Sequence, residues 1–202
     1  MDLCNDDKVI YEYVFAMLAF VLQVPWMVPG ILLVIQGEKG IGKTLLYSIL
    51  EHILGDVNCT SISEIEELVG RFNDKRKDKK LVCLEEIGSS VYDPKNWNKI
   101  KDMITSGKGS FDAKHKAIED SPSFTFFMQL TNDEYCVRVD PQGVRRIFLI
   151  NANNYWSKMQ CERHGRMAER EAYFRELTTK VFEKTTLIKA ETCQPRHSRN
   201  NK

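Results

Sequence analysis

The 202-residue chain has no cysteine pair in C-x-x-C spacing, almost no net charge and no unbroken apolar run of membrane-spanning length. Each lack excludes something. The six cysteines (Cys4, Cys59, Cys83, Cys136, Cys161 and Cys193) are scattered, most of them inside apolar runs. They read as reduced thiols of a cytosolic or nuclear protein rather than as a disulfide scaffold. Cys161 and His164 have a spacing that suits a metal, but no second pair accompanies them, so two surface residues are expected. Lys+Arg 29 against Asp+Glu 28 leaves a formal charge of +1. That excludes a globally basic nucleic-acid binder and leaves room for a local basic patch. From Tyr13 to Ile35 only Gln23 is strongly polar, and about 20 apolar residues can cross a bilayer. Pro25, Pro29 and Gly30 break that stretch, so a helix to about Gln23, a connection and a buried strand are expected instead of a membrane span. Met1 is followed by acidic residues, unlike the basic start of a secretory leader.

What remains is ordinary globular material, with 43% hydrophobic and 28% charged residues. A chain of this size can bury one proper core. Hydrophobic periodicity predicts helices over 8–23, 44–54, 63–72, 94–105 and 169–183. Val14, Leu18 and Val21 share a face of the first, and Asp93-Pro94 is a good start for the fourth. Apolar strands are expected over 31–35, 81–84, 123–130 and 146–150. Residues 71–80 form a charged connection, 107–122 a hairpin, and the tail from about Glu191 is polar. Strands alternating with helices imply an α/β sheet that is mostly parallel.

The strongest motif is Gly37-Glu38-Lys39-Gly40-Ile41-Gly42-Lys43-Thr44, which fits G-x-x-x-x-G-K-[ST] between a strand and a helix. Glycines let backbone N–H groups turn inward around phosphates, and the following helix points its positive end at them. Lys43 adds a point charge, and the Thr44 hydroxyl is a Mg²⁺ ligand beside ATP phosphates. Leu81–Leu84 ends in Glu85-Glu86, which reads as a Walker B element. Glu85 is assigned to the metal and Glu86 to the general base. Phe124–Leu130 ends in Thr131-Asn132, whose amide suits a γ-phosphate or the attacking water. Arg145-Arg146 enter an apolar strand and suit an arginine finger aimed at a neighbouring subunit. Lys114-His115-Lys116 offer cations on a loop, as phosphate backbones require. Taken singly, the acidic pair, the Asn, the arginines and the Lys-His-Lys loop each have bland readings as turns or solvated charges.

In this order the motifs resemble the superfamily 3 helicases, ring-forming AAA+ ATPases of viruses and plasmids. The nearest resemblance is to the helicase part of viral, phage and plasmid primase-helicases of the poxvirus type, which carry a helix like Tyr173-Phe174-Arg175-Glu176-Leu177. It covers roughly residues 10–185. It implies an AAA+-like three-layer α/β/α sandwich, with residues 1–30 as an N-terminal helix and connection, 31–155 as the P-loop ATPase core and 156–202 as a C-terminal helix and tail. It also implies ATP and Mg²⁺, a homohexamer or other ring, and single-stranded DNA (or RNA) gripped by Lys114, His115 and Lys116. Asn132 takes the sensor role, and Arg146 precedes Arg145 as the finger. The implied function is an ATP-dependent replicative helicase at the replication site of a virus or mobile element. Only about 30 residues precede the core, so a primase or origin-binding domain is expected on the same or another chain. An AAA+ ATPase that remodels protein or packages nucleic acid shares every nucleotide-site motif. A membrane-attached RNA-virus-type ATPase and a purely structural nucleotide binder are weaker alternatives.

Overall fold

The computed structural model describes residues 2–71, 73–112, 117–137 and 144–192. The chain begins with α1 (Lys8–Gln23), β1 (Leu32–Gln36), α2 (Lys43–Leu54), β2 (Cys59–Ile62), α3 (Ile65–Val69) and β3 (Leu81–Glu85). It continues with α4 (Pro94–Thr105), β4 (Lys108–Phe111), β5 (Glu119–Pro122), β6 (Phe126–Thr131), β7 (Ile147–Asn151), α5 (Lys158–Arg163) and α6 (Met167–Thr192). Five strands form one sheet in the order β2-β3-β6-β1-β7, with every pairing parallel. The hairpin β4-β5 is a separate antiparallel pair.

The near-continuous apolar strands follow from cover on both faces. Alternate residues serve opposite layers. Leu33, Ile35, Leu81, Cys83, Phe126 and Met128 pack with Val14, Met17 and Val21 of α1 and with Tyr47 and Leu50 of α2. Leu32, Val34, Val82, Leu84 and Phe127 pack on the other side with Leu68 of α3 and with Ile100 and Ile104 of α4. Gln129 is the polar exception inside β6. It is fully buried, accepts from the Tyr92 hydroxyl at 2.7 Å and donates to the Ile87 carbonyl at 2.9 Å.

Several expectations shift. The helix expected over 63–72 shrinks to α3, because the chain turns at Gly70, where a Cβ would lie 2.2 Å from the Glu66 carbonyl. Strand β2 escaped sequence reading: Cys-Thr-Ser-Ile is short, polar in its middle and half-exposed at the sheet edge. Short α5 was also missed, and α6 runs longer than expected. Asp93 precedes α4 without a side-chain capping bond, whereas Asp7 caps α1 by accepting from Val9 and Ile10 N–H groups. On α1, Val14, Met17 and Val21 are buried, and Leu18 is partly buried against the same cluster, on the face expected of it. Among the described residues no helix is long and apolar enough to cross a membrane.

Parallel strands put their carboxyl ends along one edge, and register aligns them. Gln36 is level with Thr131 and with Asn151, and Glu85 is level with Leu130. Because β6 lies between β1 and β3, Asn132 emerges between the glycine loop and the acidic pair.

Candidate functional site

The loop leaving β1 is built for close approach. Gly40 and Gly42 have φ of +84° and +100°, where other residues are strained, and a Cβ on Gly42 would meet Phe174 at 3.0 Å. The loop's carbonyls are held by donors. Ala152 N–H reaches Gln36 O at 2.8 Å, Lys158 N–H reaches Lys39 O at 3.1 Å, and Arg170 Nη2 reaches Gly40 O at 2.8 Å. Lys43 Nζ donates to Gly37 O at 2.5 Å and Glu38 O at 2.9 Å. No bare carbonyl from Gln36 to Gly40 is therefore left to repel an anion, and α2 directs its positive N-terminal end at the same place.

Lys43 is only 8% exposed. Its third contact is to Asn132 Oδ1 at 2.7 Å, and Asn132 Nδ2 donates to Glu86 Oε1 at 3.2 Å. Burial pushes the Lys43 ammonium down to about 8, and the Glu86 carboxylate pulls the other way. Glu86 sits at φ +57°, a left-handed conformation that costs a non-glycine residue about 1–3 kcal/mol. Its N–H donates to Leu130 O at 3.2 Å, which helps hold that turn.

These groups line a pocket of about 360 Å³ together with Lys39, Thr44, Glu85 and Phe174. Thr44 is exposed and Glu85 half-buried, so a hydroxyl and a carboxylate oxygen are available there. Hard oxygen donors of this kind suit Mg²⁺ beside phosphate oxygens. A second, apolar cavity of about 250 Å³ shares Gly42, Leu45 and Phe174 with the first. It is bounded by Tyr11 and by the stacked Trp156–Tyr173 pair, 4.5 Å apart.

Of the loop residues chosen from sequence, Lys39, Gly40, Gly42, Lys43 and Thr44 line the polar pocket. Ile41 is buried and turns its side chain into the apolar core, while Gly37 and Glu38 contribute the carbonyls that hold Lys43. Arg145 and Arg146 stand apart. They precede Ile147, which pairs with Leu32 at the start of β1. The strand length puts them about 15 Å from the loop edge. Lys114, His115 and Lys116 lie outside the described residues. Cys161 is buried near the Tyr155 carbonyl and His164 is exposed. Among the described residues no group of three or more His, Cys, Asp or Glu side chains is placed to hold a metal by itself.

Sequence reading missed Arg170 and Asn154. Asn154 Oδ1 accepts from the Glu38 N–H at 3.1 Å, and Arg170 Nε holds the Trp156 carbonyl at 3.0 Å while Nη2 holds Gly40. Both come from beyond β7, over a hundred residues from the loop, and carry no local motif.

A family model covers residues 35–146, more than half of the chain. The chain belongs to DUF5906, a family of unknown function. The DUF5906 match runs from within β1 to Arg146 and so spans the glycine loop, the acidic pair and Asn132. No curated protein sequence matches the chain. Solved structures do. An apo structure of the NrS-1 C terminal region (305–718) superposes with TM-score 0.66 at 22% identity over 96% of this chain. Two A-form apo structures of the same region give TM-scores of 0.63 and 0.65 at 22% and 20% identity, over 80% and 91% of this chain. The chain spans 39–50% of the length of these structures. The likeness is one of fold.

Proposed function

We propose that this chain is the ATP-hydrolysing motor of a superfamily 3-type replicative helicase that moves along single-stranded DNA. The observation that carries the reading is the hydrogen-bonded series Lys43–Asn132–Glu86 at the mouth of the glycine loop. It joins a phosphate-binding cation, a neutral amide and a carboxylate, the set that ATP hydrolysis requires. Lys43 turns its third donor from Asn132 to a phosphate oxygen while it keeps the Gly37 and Glu38 carbonyls covered. Asn132, released from the lysine, orients water towards the γ-phosphate, and Glu86 accepts the water's proton. Thr44 and Glu85 are the residues that would hold Mg²⁺, which neutralises phosphate charge when bound. The apolar cavity behind Gly42 and Phe174 is of a size and polarity to seat the adenine base.

Arg146, with Arg145 beside it, serves the neighbouring subunit's pocket. Its position at the far end of β7, away from its own glycine loop, supports an action in trans. That requirement makes a ring, a homohexamer in the family it resembles, the natural assembly. Lys114, His115 and Lys116 would grip the DNA backbone, so movement is sequence-tolerant. The test is steady-state ATPase activity with and without single-stranded DNA, for the native chain and for Lys43→Ala and Arg146→Ala. Activity is expected to be DNA-stimulated, lost in each variant and partly restored on mixing the two. Activity indifferent to DNA but raised by a protein partner would replace this reading with a protein-remodelling ATPase.

A further inference from the structure

The chain leaving α1 presents an exposed tryptophan on a rigid turn. Met27 N–H donates to Val24 O at 3.2 Å, with Pro25 in the second position, which such turns favour. Trp26 sits at the apex and is 64% exposed, although tryptophan is highly buried on average. Lys80, at the entry to β3, holds the turn in place. Its Nζ donates to the carbonyls that flank Trp26, Pro25 O at 3.1 Å and Met27 O at 3.4 Å, and to Phe124 O at 2.9 Å. One ammonium therefore fixes two segments that each carry an exposed aromatic ring, since Phe124 is 37% exposed. Rings held in this way lose little freedom when a partner binds.

Beside them opens a cavity of about 400 Å³, bounded by the apolar Pro25, Pro122 and Phe124 and by the polar Asn58, Asp78 and Lys79. Lys79 Nζ gives one N–H to Val57 O at 2.7 Å and forms no ion pair among the described residues, so its other N–H groups can meet an anion. Lys108, level with Pro122 across the β4-β5 stem, adds an exposed cation. Flat rings, a cleft of nucleotide size and flanking ammonium groups suit a single strand of nucleic acid. Its bases stack on the rings, and its phosphates meet the cations. An apolar protein segment would instead close the cleft over Asp78 and Lys79 without partners for them. The patch lies at the amino ends of the sheet strands, whereas the glycine loop and acidic pair lie at their carboxyl ends. The six residues of β6 separate the two by about 20 Å.

We propose that Trp26 and Phe124 form a base-stacking platform for single-stranded nucleic acid. The inference rests on the function proposed above. It is tested with Trp26→Ala and Trp26→Phe, measuring oligothymidylate affinity by fluorescence anisotropy, tryptophan emission during the titration, and ATP turnover without nucleic acid. Trp26 is exposed, so both variants are expected to fold. Trp26→Ala is expected to weaken oligothymidylate binding by about tenfold, as for one lost stacked base, and Trp26→Phe to restore most of it. Trp97 packs against Tyr92 and Trp156 stacks on Tyr173, so the quench of emission on binding is expected to come from Trp26 and to vanish in Trp26→Phe. ATP turnover without nucleic acid is expected to match the native chain in both variants. Native-like affinity in Trp26→Ala, or a quench that persists in Trp26→Phe, overturns the platform and leaves the helicase reading intact. Native-like affinity with a lower sedimentation coefficient makes the patch a contact between copies of this chain and overturns it too. Lost basal turnover in Trp26→Ala also overturns it, since the turn then supports the fold. A native chain that hydrolyses ATP but does not bind the oligothymidylate removes the helicase reading and the platform with it.

Discussion

Replacing Lys43 by methionine should abolish ATP turnover and yet stabilise the nucleotide-free protein at neutral pH. The ammonium is 8% exposed, and burial brings it from 10.5 to about 8. Each pH unit of displacement corresponds to about 1.4 kcal/mol, so the charge opposes folding by about 3 kcal/mol at pH 7. Methionine has nearly the same shape but cannot serve the Gly37 and Glu38 carbonyls, at about 1 kcal/mol each. Asn132 is exposed and turns to water. The balance favours Lys43→Met by about 1 kcal/mol at pH 7. Folding lowers this pKa, so the unfolded chain binds the proton more tightly than the native one. Native stability therefore rises as pH climbs from about 8 towards 10.5. By pH 9.5 the lysine protein regains about 2 kcal/mol, and methionine becomes the less stable by about 1 kcal/mol. Guanidinium denaturation midpoints at pH 7 and pH 9.5 measure this, with both proteins free of nucleotide. Every other titrating group is common to the two proteins and cancels. A methionine variant less stable by the same margin at both pH values would refute the reasoning, because it would mean that Lys43 titrates normally.

Two more outcomes follow from single contacts. Glu86→Gln should retain nucleotide binding, because it leaves Lys43 and the loop in place, while turnover falls by about 10²–10⁴-fold; equilibrium binding of a fluorescent ATP analogue beside a phosphate-release assay separates the two. Tyr92→Phe should cost about 1–3 kcal/mol in denaturation, because Gln129 Oε1 is left buried without its donor; a loss below a few tenths would mean that the amide re-pairs.

The parts of the fold whose signal is local were legible before any tertiary contact was known. Continuous apolar runs marked β1, β3 and β6 to within a few residues, because strands covered on both faces have no polar side to confuse the pattern, and the apolar run of β7 marked it too although it is a partly exposed edge strand. The glycine loop was legible because its glycines are demanded by backbone geometry close at hand, as at Gly40 and Gly42. Strand β2 was not legible, since pairing with β3 rather than its own four side chains makes it a strand. Strand order was also beyond local reading. Only the insertion of β6 between β1 and β3 brings Asn132 between Lys43 and Glu86, although 89 and 46 residues separate it from them. Arg170 and Asn154 reach the loop across 130 and 116 residues. Such contacts leave no periodicity or spacing behind, because a side chain that holds a distant backbone carbonyl answers to the packing of the sheet and helices rather than to its neighbours in the chain.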